Sequence, residues 1–250
     1  MEYYTTELPD SVRADCQKGN FQTRNARFRQ AVCQHLNLRY IGVGTAGNCF
    51  FESVSILLRE SIGIDTTAAS LRADVVECLR LCPGSTQDLA ERIRVEMEDE
   101  LGRPLVCSTR GRLPQTDVKL DGFVPSTLQE YLDACACEGV WVQGLHWLRA
   151  ISYLHDVCVA VVIFDQLLVR FIGSGNKTIV LYKVDAETHW DPLVHSQPPE
   201  QSVHFRGDES VGLADVVHVQ SDDESKPLEQ SVHSSPPLLT DGSRVHPGHL

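Results

Sequence analysis

Residues 157 to 164 read Val-Cys-Val-Ala-Val-Val-Ile-Phe, a β-branched run of the kind a buried strand needs. Leu167 to Ile172 and Thr178 to Val184 repeat that signal across the turn Gly173-Ser174-Gly175-Asn176. The longer apolar segments before this point read as helices. Phe28, Ala31, Val32 and His35 predict a helix over Asn25 to Leu36, and Phe50 to Leu58 predicts a second. Leu71 to Leu79 predicts a third, stopped by Pro83-Gly84. Further helices are predicted over Thr86 to Leu101, Thr127 to Cys137 and Leu145 to Leu154, with a Pro- and Gly-punctuated loop from Gly102 to Pro125. Helices first and a small sheet late imply an α+β, or layered α/β, domain that ends near Val194.

Composition then divides the chain. The first residues, 1 to 24, are polar and mixed and read as an N-terminal extension; residues 25 to 195 form the domain. From Ser196 to residue 250, Ser, Pro, Asp, Glu, Gln and His dominate. A segment of that kind cannot offset its ordering entropy by burial, so an acidic, disordered C-terminal tail is expected. Within it Pro198 to His204 is echoed by Pro227 to His233, a local duplication too short for a repeat fold.

A formal net charge of −12 lacks the basic footprint that phosphate contacts require, so nucleic acid is not an expected partner. The nine cysteines are odd in number and contain no C-x-x-C pair, which signals neither a disulfide framework nor a zinc site. Met1 to Glu7 has no basic and apolar leader, and no apolar stretch reaches the roughly 18 residues that a membrane span needs. The expectation is a protein with reduced thiols in cytosol or nucleus, without a membrane anchor.

Nucleophilic chemistry is available at one junction. Cys49 follows the small-residue loop Thr45-Ala46-Gly47 and opens a predicted helix, where a thiol is activated by the helix N-terminus. Gly47 lacks a side chain, which would let a substrate carbonyl approach loop N–H groups, as an oxyanion hole requires. The other reading of Cys49 is a core thiol. Of the ten histidines, five (His204, His218, His233, His246 and His249) fall in the tail. His189 follows the last strand signal and stands two residues from Asp191, so in an extended chain both side chains share a face and Trp190 takes the other. An acid beside the imidazole would select its tautomer and stabilise the imidazolium. His35, His146 and His155 read as helix surface and His195 as strand exit; His155-Asp156 is a rival pair whose adjacent side chains diverge.

Gly47-Asn48-Cys49-Phe50-Phe51 resembles the D-G-N-C-L-F segment of ovarian-tumour (OTU) cysteine proteases, and His189-Trp190-Asp191 resembles their His-aromatic-acid element. Between them Leu71-Arg72, Trp141-Val142-Gln143-Gly144 and Leu148-Arg149-Ala150 match weaker family motifs in the same order, over about residues 35 to 194. The resemblance implies a papain-like OTU fold, helices flanking a small central sheet. It implies deubiquitinase activity: hydrolysis after the C-terminal glycine of ubiquitin, in ubiquitin or polyubiquitin conjugates, through a thioester on Cys49. His189 would be the base, Asp191 its orienting acid, and amides near Ala46, Gly47, Asn48 and Cys49 the oxyanion hole. No metal or cofactor is implied. Trp190 and Trp141 are candidates for the wall of the substrate channel, with the sheet core as the other place for Trp190. The sequence departs from the family at Ala46, where an aspartate is usual, at Val142-Gln143, which interrupt W-G-G, and at His146, near a usual glutamate.

Two other functions are open to the same residues: an OTU-fold module that holds ubiquitin without cleaving it, motivated by Ala46, and a papain-like protease acting on another polypeptide. In the tail, Val216, Val217 and Val219 precede the acidic run Asp222-Asp223-Glu224, which resembles a SUMO-interacting motif. Valines in an extended segment can add to the edge of a partner's sheet, with the acids on a basic rim.

Overall fold

The polar Asn20 sets the start of the first long helix: its side chain accepts the Thr23 N–H at 2.9 Å, so the helix covers Phe21–His35 and begins four residues before the apolar period alone predicts. The computed structural model describes residues 3–14, 19–44, 47–81, 87–114, 116–184 and 189–196. In chain order these form β1 (Tyr3–Glu7), α1 (Asp10–Ala14), α2 (Phe21–His35), β2 (Leu38–Tyr40), α3 (Cys49–Leu57), α4 (Ala68–Leu81), α5 (Gln87–Glu98), α6 (Leu128–Cys135), α7 (Leu145–His155), β3 (Val157–Ile163), β4 (Leu168–Ile172), β5 (Lys177–Val184) and β6 (His189–His195). A π-helical turn, Leu58–Ile62, extends α3 and stops at Gly63, whose φ of 80° lies in the left-handed region. Thr127 caps α6 by accepting the Glu130 N–H at 3.2 Å, while Glu130 accepts the Ser126 N–H at 2.8 Å.

The six strands make one mixed sheet in the order β1-β4-β3-β5-β6-β2, parallel only between β3 and β5. Every residue of β3 is buried because both faces of the sheet are covered. On one face Val157, Val159, Val161, Ile179, Leu181 and Trp190 join the core that α3 to α7 build. On the other, Cys158, Ala160, Val162, Val180, Tyr182 and Leu193 pack against Val12 of α1 and against Phe28 and Val32 of α2.

The α+β architecture, helices around a small sheet, matches the sequence expectation, and its differences are local. Residues read as an N-terminal extension supply β1, which pairs with β4 from Tyr3↔Ile172 to Glu7↔Leu168 and closes one side of the sheet. β2 is a three-residue strand held by β6 at the other side, in a segment for which the sequence predicts no element. His146, expected on a helix surface, is wholly buried. The reason is that α7 packs on α4 and α5 as well as on β3, so its polar positions His146, Arg149 and Ser152 are enclosed too. Each has a partner: the Tyr131 hydroxyl at 2.9 Å, Glu96 at 3.0 Å and the Val157 carbonyl at 2.6 Å. The chain divides into two units, Met1–Leu213, which contains all the described residues, and Ala214–Leu250, which lies outside them.

Candidate active site

Cys49 opens α3 and is buried. Helices commonly satisfy their first N–H groups with a capping side chain, but α3 has none: the Asn48 carboxamide instead accepts from Arg72 at 2.8 Å and from the Gly139 N–H at 3.3 Å. The α3 N-terminus therefore meets the Cys49 thiol without a side-chain cap. Behind it, the Ser53 hydroxyl donates to the Trp190 carbonyl at 2.9 Å, which fixes the helix that carries Cys49 to the strand that carries His189.

β6 aligns the other two groups. Antiparallel pairing sets Val184 opposite His189 and Tyr182 opposite Asp191, and two-residue alternation puts both β6 side chains together, with the His189 Nε2–H donating to Asp191 Oδ1 at 3.0 Å. Beyond β2 the Ile41 N–H still donates to the Pro192 carbonyl at 3.2 Å, and the chain then runs over Asp191. The Val43 N–H donates to Oδ1 at 3.2 Å and the Tyr40 hydroxyl to Oδ2 at 3.0 Å. Asp191 is 4% exposed, so this carboxylate is held in a fixed orientation by three donors. Burial, and then Asp191 itself, push the Tyr40 phenol up to about 12, which keeps it a donor; the Arg29 guanidinium lies 3.8 Å over its ring.

With Nε2 committed to Asp191, Nδ1 of His189 is the nitrogen left to take a proton. It is buried and makes no hydrogen bond in this structure. The imidazole is pushed up to about 10, first by the hydrogen bond to Asp191 and next by Cys49, against a smaller opposing effect of burial. Cys49 is thus close enough to act on the ring, the proximity that proton transfer to Nδ1 needs.

Thus the structure brings Cys49 together with His189 and Asp191, a pair that lies far from it in sequence. Ala46 lies outside the described residues, as do Val216, Val217 and Val219. Gly47 departs from its expected role. Its N–H donates to Ser108 Oγ at 2.9 Å and so is not open to an oxyanion, and a Cβ there would stand 1.9 Å from the Gly139 carbonyl oxygen. The missing side chain makes room for Gly139, not for substrate. Trp190 is 3% exposed and packs edge-on against Phe50 at 5.3 Å between ring centroids, so it belongs to the core and not to a channel wall, because alternation along β6 turns it towards α3. Trp141 is half-buried against the same core, and its backbone N–H donates to the Val106 carbonyl at 3.0 Å. The sequence holds no site signal for Tyr40 or Ser108; Arg72 carries one, within the Leu71-Arg72 match. Among the described residues, no group of three or more His, Cys, Asp or Glu side chains is placed to hold a metal ion, and no helix is long and apolar enough to cross a membrane.

Comparison with solved structures finds partial likeness. Among the solved structures this chain is similar to are OTU domains. They include the viral OTU domain protease of Dera Ghazi Khan virus (14% identity, TM-score 0.41, covering 64% of this chain and 82% of that one). An OTU deubiquitinase from Wolbachia pipientis wMel bound to ubiquitin is 17% identical with a TM-score of 0.43, covering 64% of this chain and 96% of that one. The viral OTU domain protease of Taggert virus is 15% identical with a TM-score of 0.42, covering 66% and 82%. No family model and no curated protein matches the sequence.

Proposed function

We propose that this chain is an OTU-type cysteine protease that hydrolyses the bond after the C-terminal glycine of ubiquitin. The observation that carries the chemistry is the orientation of one imidazole. His189 gives Nε2–H to a carboxylate locked by Tyr40 and Val43, which leaves a buried, unbonded Nδ1 on a ring that also senses the Cys49 thiol. A proton moved from Cys49 to Nδ1 would leave a thiolate at the uncapped start of α3 beside an imidazolium that Asp191 stabilises. The thiolate attacks the substrate carbonyl, the imidazolium returns the proton to the leaving amine, and water then cleaves the thioester with His189 again as base. Support for ubiquitin as substrate is the ordered set of motifs from Gly47-Asn48-Cys49 to His189-Trp190-Asp191.

A ubiquitin carrying a C-terminal electrophile tests this directly. The expected result is a covalent adduct mapped to Cys49 and absent from Cys49→Ala. If a general thiol reagent labels Cys49 while the ubiquitin electrophile does not, the substrate is a different polypeptide; if neither reagent labels it, Cys49 is a core thiol.

A further inference from the structure

Arg72 is the most deeply buried guanidinium near the site, 2% exposed, and has no carboxylate partner among the described residues. Burial pulls it down to about 10. An uncompensated buried cation is costly unless its hydrogen bonds are complete. Arg72 directs them at three backbone carbonyls and one carboxamide: Nη1 donates to the Cys135 carbonyl at 2.7 Å, and Nη2 to the Gly47 carbonyl at 2.9 Å, to Asn48 Oδ1 at 2.8 Å and to the Val140 carbonyl at 3.1 Å. The guanidinium also stands 4.4 Å over the Phe51 ring, on the helix that Cys49 opens. One side chain of α4 therefore binds the nucleophile loop, the end of α6 and the stretch after it.

Ser108 completes the clamp from the opposite side. Its Oγ accepts the Gly47 N–H at 2.9 Å and donates to the Gly139 carbonyl at 3.2 Å, while its own N–H reaches that carbonyl at 2.9 Å. Gly47 is thus held at both ends, N–H by Ser108 and C=O by Arg72, and pressed onto Gly139. We propose that Arg72 and Ser108 are positioning residues that lock the peptides of Gly47 and Asn48 and so set where Cys49 presents its sulfur to His189. Neither acts on substrate: Arg72 is sealed in the core, and Ser108 has its hydroxyl engaged in both directions. The inference rests on the reading of Cys49 as nucleophile.

The test uses the full chain as wild type, Ser108→Ala, Ser108→Thr and Arg72→Lys. Thermal unfolding checks the fold, a fluorogenic ubiquitin C-terminal amide yields kcat and KM separately, and iodoacetamide alkylation of Cys49, mapped by mass spectrometry across pH, reads the thiol without substrate. Loss of one such hydrogen bond is expected to lower kcat and the alkylation rate of Ser108→Ala about 10-fold with KM unchanged. Ser108→Thr, which keeps the hydroxyl, restores both. Arg72→Lys, which keeps the charge but loses the planar fork, falls about 100-fold; should it fail to fold, the Ser108 pair decides. Wild-type kcat and alkylation in Ser108→Ala, an effect on KM alone, or no rescue by threonine overturns the positioning role while leaving Cys49 as nucleophile. If wild-type Cys49 resists both reagents, the nucleophile reading falls and this inference falls with it. If Cys49 is alkylated but the ubiquitin amide is not cleaved, the alkylation rates alone decide.

Discussion

His146 has a role in stability that its place in the fold makes measurable. It is fully buried, with Nε2 on the Tyr131 hydroxyl at 2.9 Å; that hydroxyl also accepts the Trp147 indole N–H at 3.1 Å. Gly144 backs the ring so closely that a Cβ there would lie 2.6 Å from it. Burial pushes the imidazole down to about 3. In the unfolded chain the same group takes up a proton as pH falls through its ordinary value near 6.5. Between those two values the unfolded state holds more protons, so stability is fully present above about 6.5 and is lost as pH falls towards 3. At about 1.4 kcal/mol per pH unit, two units of acidification, from about pH 6.5 to 4.5, remove roughly 2 to 3 kcal/mol through this residue alone. Urea unfolding followed by tryptophan fluorescence at about pH 7 and about pH 4.5 measures the loss in wild type and in His146→Leu. His146→Leu starts lower because Tyr131 loses a partner, but its pH slope is expected to be shallower by that 2 to 3 kcal/mol, since the carboxylates common to both chains cancel. Equal losses in the two proteins would refute the buried neutral imidazole.

Three further outcomes are expected. Cys49→Ala removes turnover of a ubiquitin substrate while shifting the melting temperature by only a few degrees, because one sulfur is lost without a large cavity; residual cleavage at wild-type rate would end its assignment. His189→Ala is expected to lower kcat by about a thousandfold or more and Asp191→Ala by less, since the base is indispensable while Tyr40 and Val43 hold the acid only to orient it; the two kcat values, measured with matched stability, check the order. Gly47→Ala places a methyl 1.9 Å from the backbone oxygen of Gly139, which cannot yield as a side chain would, so a loss of about 3 kcal/mol or more is expected in chemical denaturation.

Where this chain's elements obey a local period, the sequence alone determined them. The β-branched run from Val157 to Ile163 is a central strand because such side chains pack on a pleated surface whatever the partner, and the helical periods of Leu71 to Leu79 and Leu145 to Leu154 survive because an apolar stripe along one helix face can be buried against any core. The candidate site was legible as far as it is local: Cys49 at a loop-to-helix junction, and His189 and Asp191 two apart on one strand. β1 and β2 are strands only because β4 and β6 supply their hydrogen bonds; five and three residues carry no period of their own. Arg72 binds the Gly47 carbonyl, Tyr40 binds Asp191 and Ser108 binds Gly47, each across a long sequence separation. His146 is buried by helices whose packing no residue near it specifies. A polar side chain is read from sequence as exposed because exposure is its cheapest state; it becomes a buried clamp only when a distant segment brings the matching donor or acceptor, and that partnership exists only in the folded chain.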